Sequence, residues 1–188
     1  MILDVLSHIG EKLNEENILW GVGASILLNH YGLVENPNDI DILVHTKDME
    51  KLDVVLKSLG EKKLEEKVPT YATEFFYEYV VKGIDVDVMA GFIIKHSEGE
   101  YKYTFDNESI TEMKNINGIN IPMTSLEDWY VIYQLIPNRE QKVRLIEKYL
   151  LENGIKRLEL LERALVGNLS SDVKLRVKNL MEFKINVE

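Results

Sequence analysis

The chain contains no cysteine, which excludes disulfides, thiolate zinc sites and cysteine nucleophiles together. It also lacks any apolar run near the roughly 18 residues that a membrane span requires. Its first residues, Met1-Ile2-Leu3-Asp4, show no basic stretch followed by an apolar one, so no secretory signal is expected. A cytoplasmic address follows by elimination. Internal repeats and low-complexity linkers are missing, and 188 residues suit one compact domain or a domain with a helical appendage. Arginine is absent from the first 138 residues; Arg139, Arg144, Arg157, Arg163 and Arg176 all fall in the last third. The net charge of −10 argues against general nucleic-acid binding, which needs a basic surface to displace counterions. The late arginines leave two readings: a basic helical face that meets a substrate or partner, or exposed residues placed on long helices by propensity.

What is present is an ordered succession of patterns. Leu3, Leu6, Ile9 and Leu13 recur at helical spacing, predicting an amphipathic helix over 3–16. Ile18-Leu19-Trp20 reads as a short strand stopped by Gly21-Val22-Gly23. Ala24 to Tyr31 has the composition of a buried helix with Gly32 as its stop. Turn residues Glu35-Asn36-Pro37-Asn38 precede an apolar strand, and Lys47 to Leu59 reads as a helix ending at Gly60. The Glu61–Lys67 charge run reads as a solvated loop or helix end. Phe75–Val81 and Ile84–Met89 flank Lys82-Gly83 as a hairpin. Tyr101–Phe105 is a further strand candidate, and Ile116-Asn117-Gly118-Ile119 a tight turn. Thr124-Ser125-Leu126-Glu127 reads as a capping box. Three more helical patterns follow, broken at Pro137-Asn138, Asn153-Gly154 and Gly167-Asn168. The expectation is an α/β domain over 1–123, with a C-terminal helical segment over 124–188 packed on it.

Three elements carry the chemistry. In Asn38-Asp39-Ile40-Asp41-Ile42-Leu43-Val44, side chains alternate across the strand, so Asp39 and Asp41 share one face, roughly 7 Å apart by strand rise. Two acids so placed repel unless a cation lies between them, and hard Mg²⁺ prefers carboxylate oxygens. The plainer alternative is a turn role for Asp39 and a solvent-facing Asp41. In Trp20-Gly21-Val22-Gly23-Ala24-Ser25, a strand turns through glycines into a helix, whose first N–H groups suit a phosphate, with Ser25 adding a hydroxyl. The alternative is a tight strand-to-helix turn and nothing more. In Gly83-Ile84-Asp85-Val86-Asp87-Val88-Met89, two more acids share a strand face, and one of them would complete a two-metal site. Chemistry alone does not rank Asp85 against Asp87. The four histidines show no metal-ligand spacing, and the cluster Trp129, Tyr130, Tyr133 reads as core, with an acceptor pocket as the alternative.

This combination resembles the nucleotidyltransferase superfamily shared with beta-type DNA polymerases, in particular small bacterial lincosamide and aminoglycoside nucleotidyltransferases and toxin-type relatives. Val22-Gly23-Ala24-Ser25, Asp39-Ile40-Asp41 and Asp87 fall where that family has a small-residue turn, an acid–apolar–acid strand and a later strand aspartate. Leu126-Glu127-Asp128 looks like the start of the family's helix after the catalytic domain. The chain departs from the pattern in Val22, where the first glycine would stand, and in Glu35 and Pro37, where many relatives carry arginine and threonine. Lys47 is a candidate for the cation so displaced.

The resemblance implies an α+β fold with a mixed sheet, flanking helices and a C-terminal helical segment. It implies Mg²⁺-dependent transfer of a nucleoside monophosphate from an NTP to a hydroxyl on a small molecule, tRNA or protein. Asp39, Asp41 and Asp87 (Asp85 as the alternative to Asp87) would bind two Mg²⁺ ions and activate the acceptor; Gly21, Gly23 and Ser25 would hold the triphosphate. The partners expected are the NTP and an unidentified acceptor, with a homodimer or a toxin–antitoxin pair as further options and no membrane. The rival reading is an inactive descendant that binds a nucleotide or a protein partner.

Overall fold

A computed structural model of the chain describes residues 1–64 and 70–185. Helix α1 (Ile2–Glu15) buries Val5, Leu6, Ile9 and Leu13, the face that the three-and-four spacing predicts. Its Gly10 lets the helix lie flat on the sheet, because a Cβ there would come within 2.3 Å of Ile121. Strand β1 (Trp20–Val22) leads through Gly23 into α2 (Ala24–His30), and β2 (Ile40–Val44) follows the Glu35–Asn38 loop. Gly32, with φ of +70°, adopts the left-handed backbone that lets the chain leave α2. A 3-10 turn (Thr46–Asp48) opens α3 (Met49–Leu59).

The edge strand β3 (Glu61–Lys62) pairs with β4 (Phe75–Val81), which forms a hairpin with β5 (Ile84–Ala90). A separate two-stranded ribbon is made of β6 (Ile93–His96) and β7 (Gly99–Lys102). The hairpin of β8 (Ile110–Ile116) and β9 (Ile119–Thr124) completes the main sheet. Four helices close the chain: α4 (Leu126–Leu135), α5 (Glu140–Asn153), α6 (Leu158–Val166) and α7 (Ser171–Ile185).

The seven strands run in the order β3-β4-β5-β2-β1-β9-β8. Two pairings are parallel, β2 with β5 and β1 with β9, and the rest antiparallel. The mixed sheet is the α+β architecture expected. Ile40, Ile42, Val86 and Val88 form the apolar centre, fully buried. Helix α4 is buried nearly all round, Gln134 excepted, as an apolar helix inside a protein must be. It is the common neighbour of α2, α5, α6, α7 and β6.

Three local expectations shift. The first strand covers Trp20–Val22, not Ile18–Trp20. The Leu19 N–H donates instead to Asp48 Oδ2 (3.0 Å), and Gly21 is kept in the strand because its bare Cα lies against Thr124 and Phe105. The helix cap moves by one residue: Ser125 Oγ accepts from the Asp128 N–H (2.9 Å), while Thr124 belongs to β9. Its hydroxyl donates to Val22 O (3.0 Å) and accepts the Trp129 indole N–H (2.9 Å). The Tyr101–Phe105 strand ends at Lys102, and the Tyr103 hydroxyl turns inward to Asp128 Oδ2 (2.8 Å). Of the Glu61–Lys67 run, Glu61 and Lys62 form β3, and the part beyond Leu64 lies outside the described residues.

Candidate active site

The parallel register of β2 and β5 sets Asp41 beside Asp87, residue against residue. Asp39, just before β2, is tied to the start of α2: Ser25 Oγ donates to Asp39 Oδ1 at 3.1 Å. These three carboxylates line a cleft of about 140 Å³. Ala24 and Trp129 stand at one wall, Tyr71, Phe76 and Phe92 at another, and Tyr133, Arg139 and Lys142 close it from the helical side. Asp85 is not brought in. It is exposed and forms an ion pair with Lys63 at 2.7 Å, so Asp87 alone of the β5 pair faces the cleft.

The electrostatics follow from crowding anions at a half-dry site. Burial pushes the Asp41 carboxyl up to about 8, with the charges of Asp39 and Asp87 adding to the rise and Lys142 and Arg139 opposing it. Asp87 rises to about 6, first from burial and then from Glu78 and Asp39. Burial and the neighbouring Arg139 push Lys142 downward, and its Nζ donates to the Tyr133 hydroxyl at 3.4 Å. Tyr133 is pushed far above its ordinary value by burial and by Asp41.

The donor set suits a hard divalent cation in kind: three carboxylates, with no imidazole or thiolate among them. Among the described residues no three His, Asp or Glu side chains are drawn close enough to form a ready-made cage.

The glycines have a packing role. The Gly23 N–H donates to Asp41 O (3.0 Å), locking the turn against the acidic strand. A Cβ at Gly23 would fall 2.3 Å from Trp129 Nε1, so only glycine admits the indole. Gly21 lies inside β1 and does not line the cleft. Ala24 takes a left-handed φ of +46° and borders the cleft directly.

Four of the late arginines are engaged within the chain. Arg144 pairs with Glu140, Arg157 with Glu108 and Glu159, Arg163 with Asp106, and Arg176 with Glu140 and Glu147. Of the five, Arg139 alone lines the cleft with Asp39, Asp41 and Asp87. Arg139 and Lys142 carry no local mark of a site; their signal is the Pro137-Asn138 break, which puts Arg139 at the N-cap of α5 and Lys142 in its first turn, where Lys142 reaches Tyr133 of α4. Lys47 is exposed on the 3-10 turn and does not line the cleft. Of the aromatic cluster, Trp129 and Tyr133 line it, whereas Tyr130 is buried and donates its hydroxyl to Glu147 Oε1 (2.6 Å).

This architecture, an acid-bearing parallel strand pair under a glycine turn and a central helix, is that of the nucleotidyltransferase fold. The chain is similar to a candidate nucleotidyltransferase from Thermotoga maritima (23% identity, 80% of this chain and 93% of that one, TM-score 0.59). It is also similar to ANT(2″)-Ia in complex with adenylyl-2″-tobramycin (15% identity, 86% and 97%, TM-score 0.56). A third likeness is to the lincomycin-bound lincosamide antibiotic adenylyltransferase LnuA (15% identity, 77% and 95%, TM-score 0.51). No protein-family model and no curated protein matches the sequence.

Proposed function

We propose that the chain is a Mg²⁺-dependent nucleotidyltransferase that moves a nucleoside monophosphate from an NTP to a hydroxyl acceptor. The observation that carries this reading is the cleft itself: Asp39, Asp41 and Asp87 on one side, Arg139 and Lys142 on the other, in a nucleotidyltransferase fold. Acids alone would repel a triphosphate, and cations alone would bind one without activating anything. Both together, lining one cleft, suit a reaction in which phosphate charge is both held and redistributed.

Asp39, Asp41 and Asp87 would hold Mg²⁺, which when bound supplies neutralisation of phosphate charge and polarisation of the reacting oxygens. Ser25 orients Asp39 through the hydroxyl bond already formed. Arg139 and Lys142 meet the triphosphate from α5, and Lys142 is steadied by the Tyr133 hydroxyl. Asp87, half-buried beside Asp41, is the carboxylate that would complete the metal site or accept the acceptor hydroxyl's proton. The ring walls of Trp129, Tyr133 and Phe92 limit water around the reacting atoms. Attack at the α-phosphorus forms the new phosphoester and expels pyrophosphate. No helix among the described residues is long and apolar enough to cross a membrane, and we assign the reaction to the cytoplasm on the cysteine-free composition.

The test is pyrophosphate release with each NTP and Mg²⁺ across a panel of hydroxyl acceptors, for the native chain and for Asp39→Asn with Asp41→Asn. The native chain is expected to release pyrophosphate with one acceptor class, and the double variant to lose that release while still folding. Equal release by both proteins would overturn the assignment.

A further inference from the structure

Strand β8 forms one edge of the seven-stranded sheet, and at seven residues it is far longer than the two-residue β3 at the other edge. Turn Asn117-Gly118 closes its hairpin with Ile116 opposite Ile119, and the closing pair of a two-residue turn is hydrogen-bonded. Bonded and non-bonded pairs alternate back along an antiparallel ladder. Ile116, Lys114 and Glu112 therefore direct their backbone groups at β9, while Asn115 and Met113 direct theirs at the open edge. Met113 lies opposite Pro122, which has no N–H to give, as that phase requires. Among the described residues no backbone group outside the hairpin bonds to the outward row.

The residues along this row are their own complement. With Met113 as centre, an antiparallel second copy of β8 sets Met113 against Met113 and Glu112 against Lys114 of the partner subunit. Those flanking pairs become the non-hydrogen-bonded pairs of the new ladder, whose Cα atoms stand about 4.5 Å apart, close enough for opposite charges to stabilise it. Lys114 is exposed and has no ion pair among the described residues; Glu112 is held on the same face by His30 Nε2 at 3.1 Å. A lysine on an edge strand ordinarily discourages pairing. Beside Glu112 it discourages every strand except one that brings an acid into register, which its own copy does. The border carries apolar surface as well. Met1, Leu3 and Met113 are among the few large apolar side chains left exposed, and the Asn117 side-chain amide, donating to Asp4 Oδ1 (2.9 Å), ties the start of α1 to this hairpin.

We propose that two copies of this chain associate through β8, paired antiparallel about Met113, so that their sheets continue into one another. Strands β1 and β9 separate this edge from the acidic strands, so the dimer stands or falls independently of the catalytic reading.

Sedimentation velocity of the full chain, from about 1 to about 100 µM, tests this with four proteins. The native chain is expected to approach twice its 21.8 kDa mass. Lys114→Glu, which sets acid against acid twice in the dimer, should weaken association about tenfold or more. Glu112→Lys combined with Lys114→Glu restores the opposite charges and should restore the dimer. Met113→Pro removes an outward N–H that β9 does not use, so it should give a monomer whose melting temperature stays near that of the native chain. A native chain that remains monomeric overturns the proposal. So does a dimer indifferent to Lys114→Glu and Met113→Pro, or a double charge swap that stays as weak as the single one.

Discussion

Asp41 and Asp87 are register partners on parallel strands, so the sheet itself holds two carboxylates side by side. Burial and the surrounding acids raise Asp41 to about 8 and Asp87 to about 6, both above the usual carboxylate range. The folded state thus holds protons that the unfolded chain releases near pH 4. The stability associated with these groups is present below pH 4 and is lost as pH rises through 6 and 8. Asp41→Asn removes a group that must take up a proton on folding, while destroying a proposed metal ligand. At pH 7 it is expected to raise stability on the order of 2 kcal/mol, or about 5 °C in melting temperature, and to abolish transfer. The gain should shrink at pH 5, where the unfolded chain comes closer to its own carboxylate range and the proton uptake on folding costs less. A variant that melts below the native chain at pH 7 would sink this account.

Gly23 is expected to tolerate no side chain. Its added Cβ would meet the Trp129 ring at 2.3 to 2.5 Å, and the indole is pinned by its bond to Thr124. Gly23→Ala should cost about 2–3 kcal/mol through overpacking. In a Trp129→Leu background the clash is gone, so the same substitution should cost under about 1 kcal/mol. Urea unfolding of the four proteins measures the coupling; additive costs would show that some other contact makes the glycine necessary.

Much of the frame was legible because it depends on local patterns. The apolar spacing of α1, the glycine after α2, the Lys82-Gly83 and Asn117-Gly118 turns and the breaks between the last helices all lie where short-range chemistry puts them. The acid pair before Ile42 was legible too, whereas chemistry alone left Asp85 and Asp87 unranked on one strand face; the family resemblance named Asp87, and the register with β2 sets Asp87 beside Asp41. The one-residue cap error has a similar origin. Thr124 and Ser125 both suit an N-cap, and the choice is made by tertiary bonds from Thr124 to Val22 and Trp129. Nothing local distinguishes Arg139 and Lys142 from the other basic residues of the helical segment. Their place at the cleft comes from how α5 packs on α4.

Arg139 makes no ion pair among the described residues, although it borders three acids. Arg139→Gln should therefore leave the melting temperature within about 2 °C, since isolated surface charges contribute little. If it grips the triphosphate, the same change should weaken NTP binding by about 1.5–3 kcal/mol, the range for a hydrogen bond to a charged group. Lys142→Met gives a check that needs no substrate. Lys142 is the larger of the two cationic influences holding Asp41 down, so its loss should move the Asp41 carboxyl further above 8 in an NMR titration. An unmoved titration would place the Lys142 charge too far away to matter.

Asp128 provides a pH dependence remote from the acids of the cleft. It is almost fully buried at the start of α4, where it accepts the Tyr103 hydroxyl at 2.8 Å and lies 3.7 Å from Arg163 Nη2. Burial nevertheless wins over these partners and raises its carboxyl to about 6. A group whose folded value lies above its unfolded one contributes stability that is present below pH 4 and lost as pH rises through 6. Asp128→Asn keeps an acceptor for Tyr103 without the charge. Relative to the native chain it should gain steadily between pH 4 and pH 7, by at most about 3 kcal/mol. Denaturant unfolding of both proteins at several pH values reads this difference directly. A difference that stays flat over that range, or that turns against the variant as pH rises, would mean that Arg163 and Tyr103 compensate the buried charge in full.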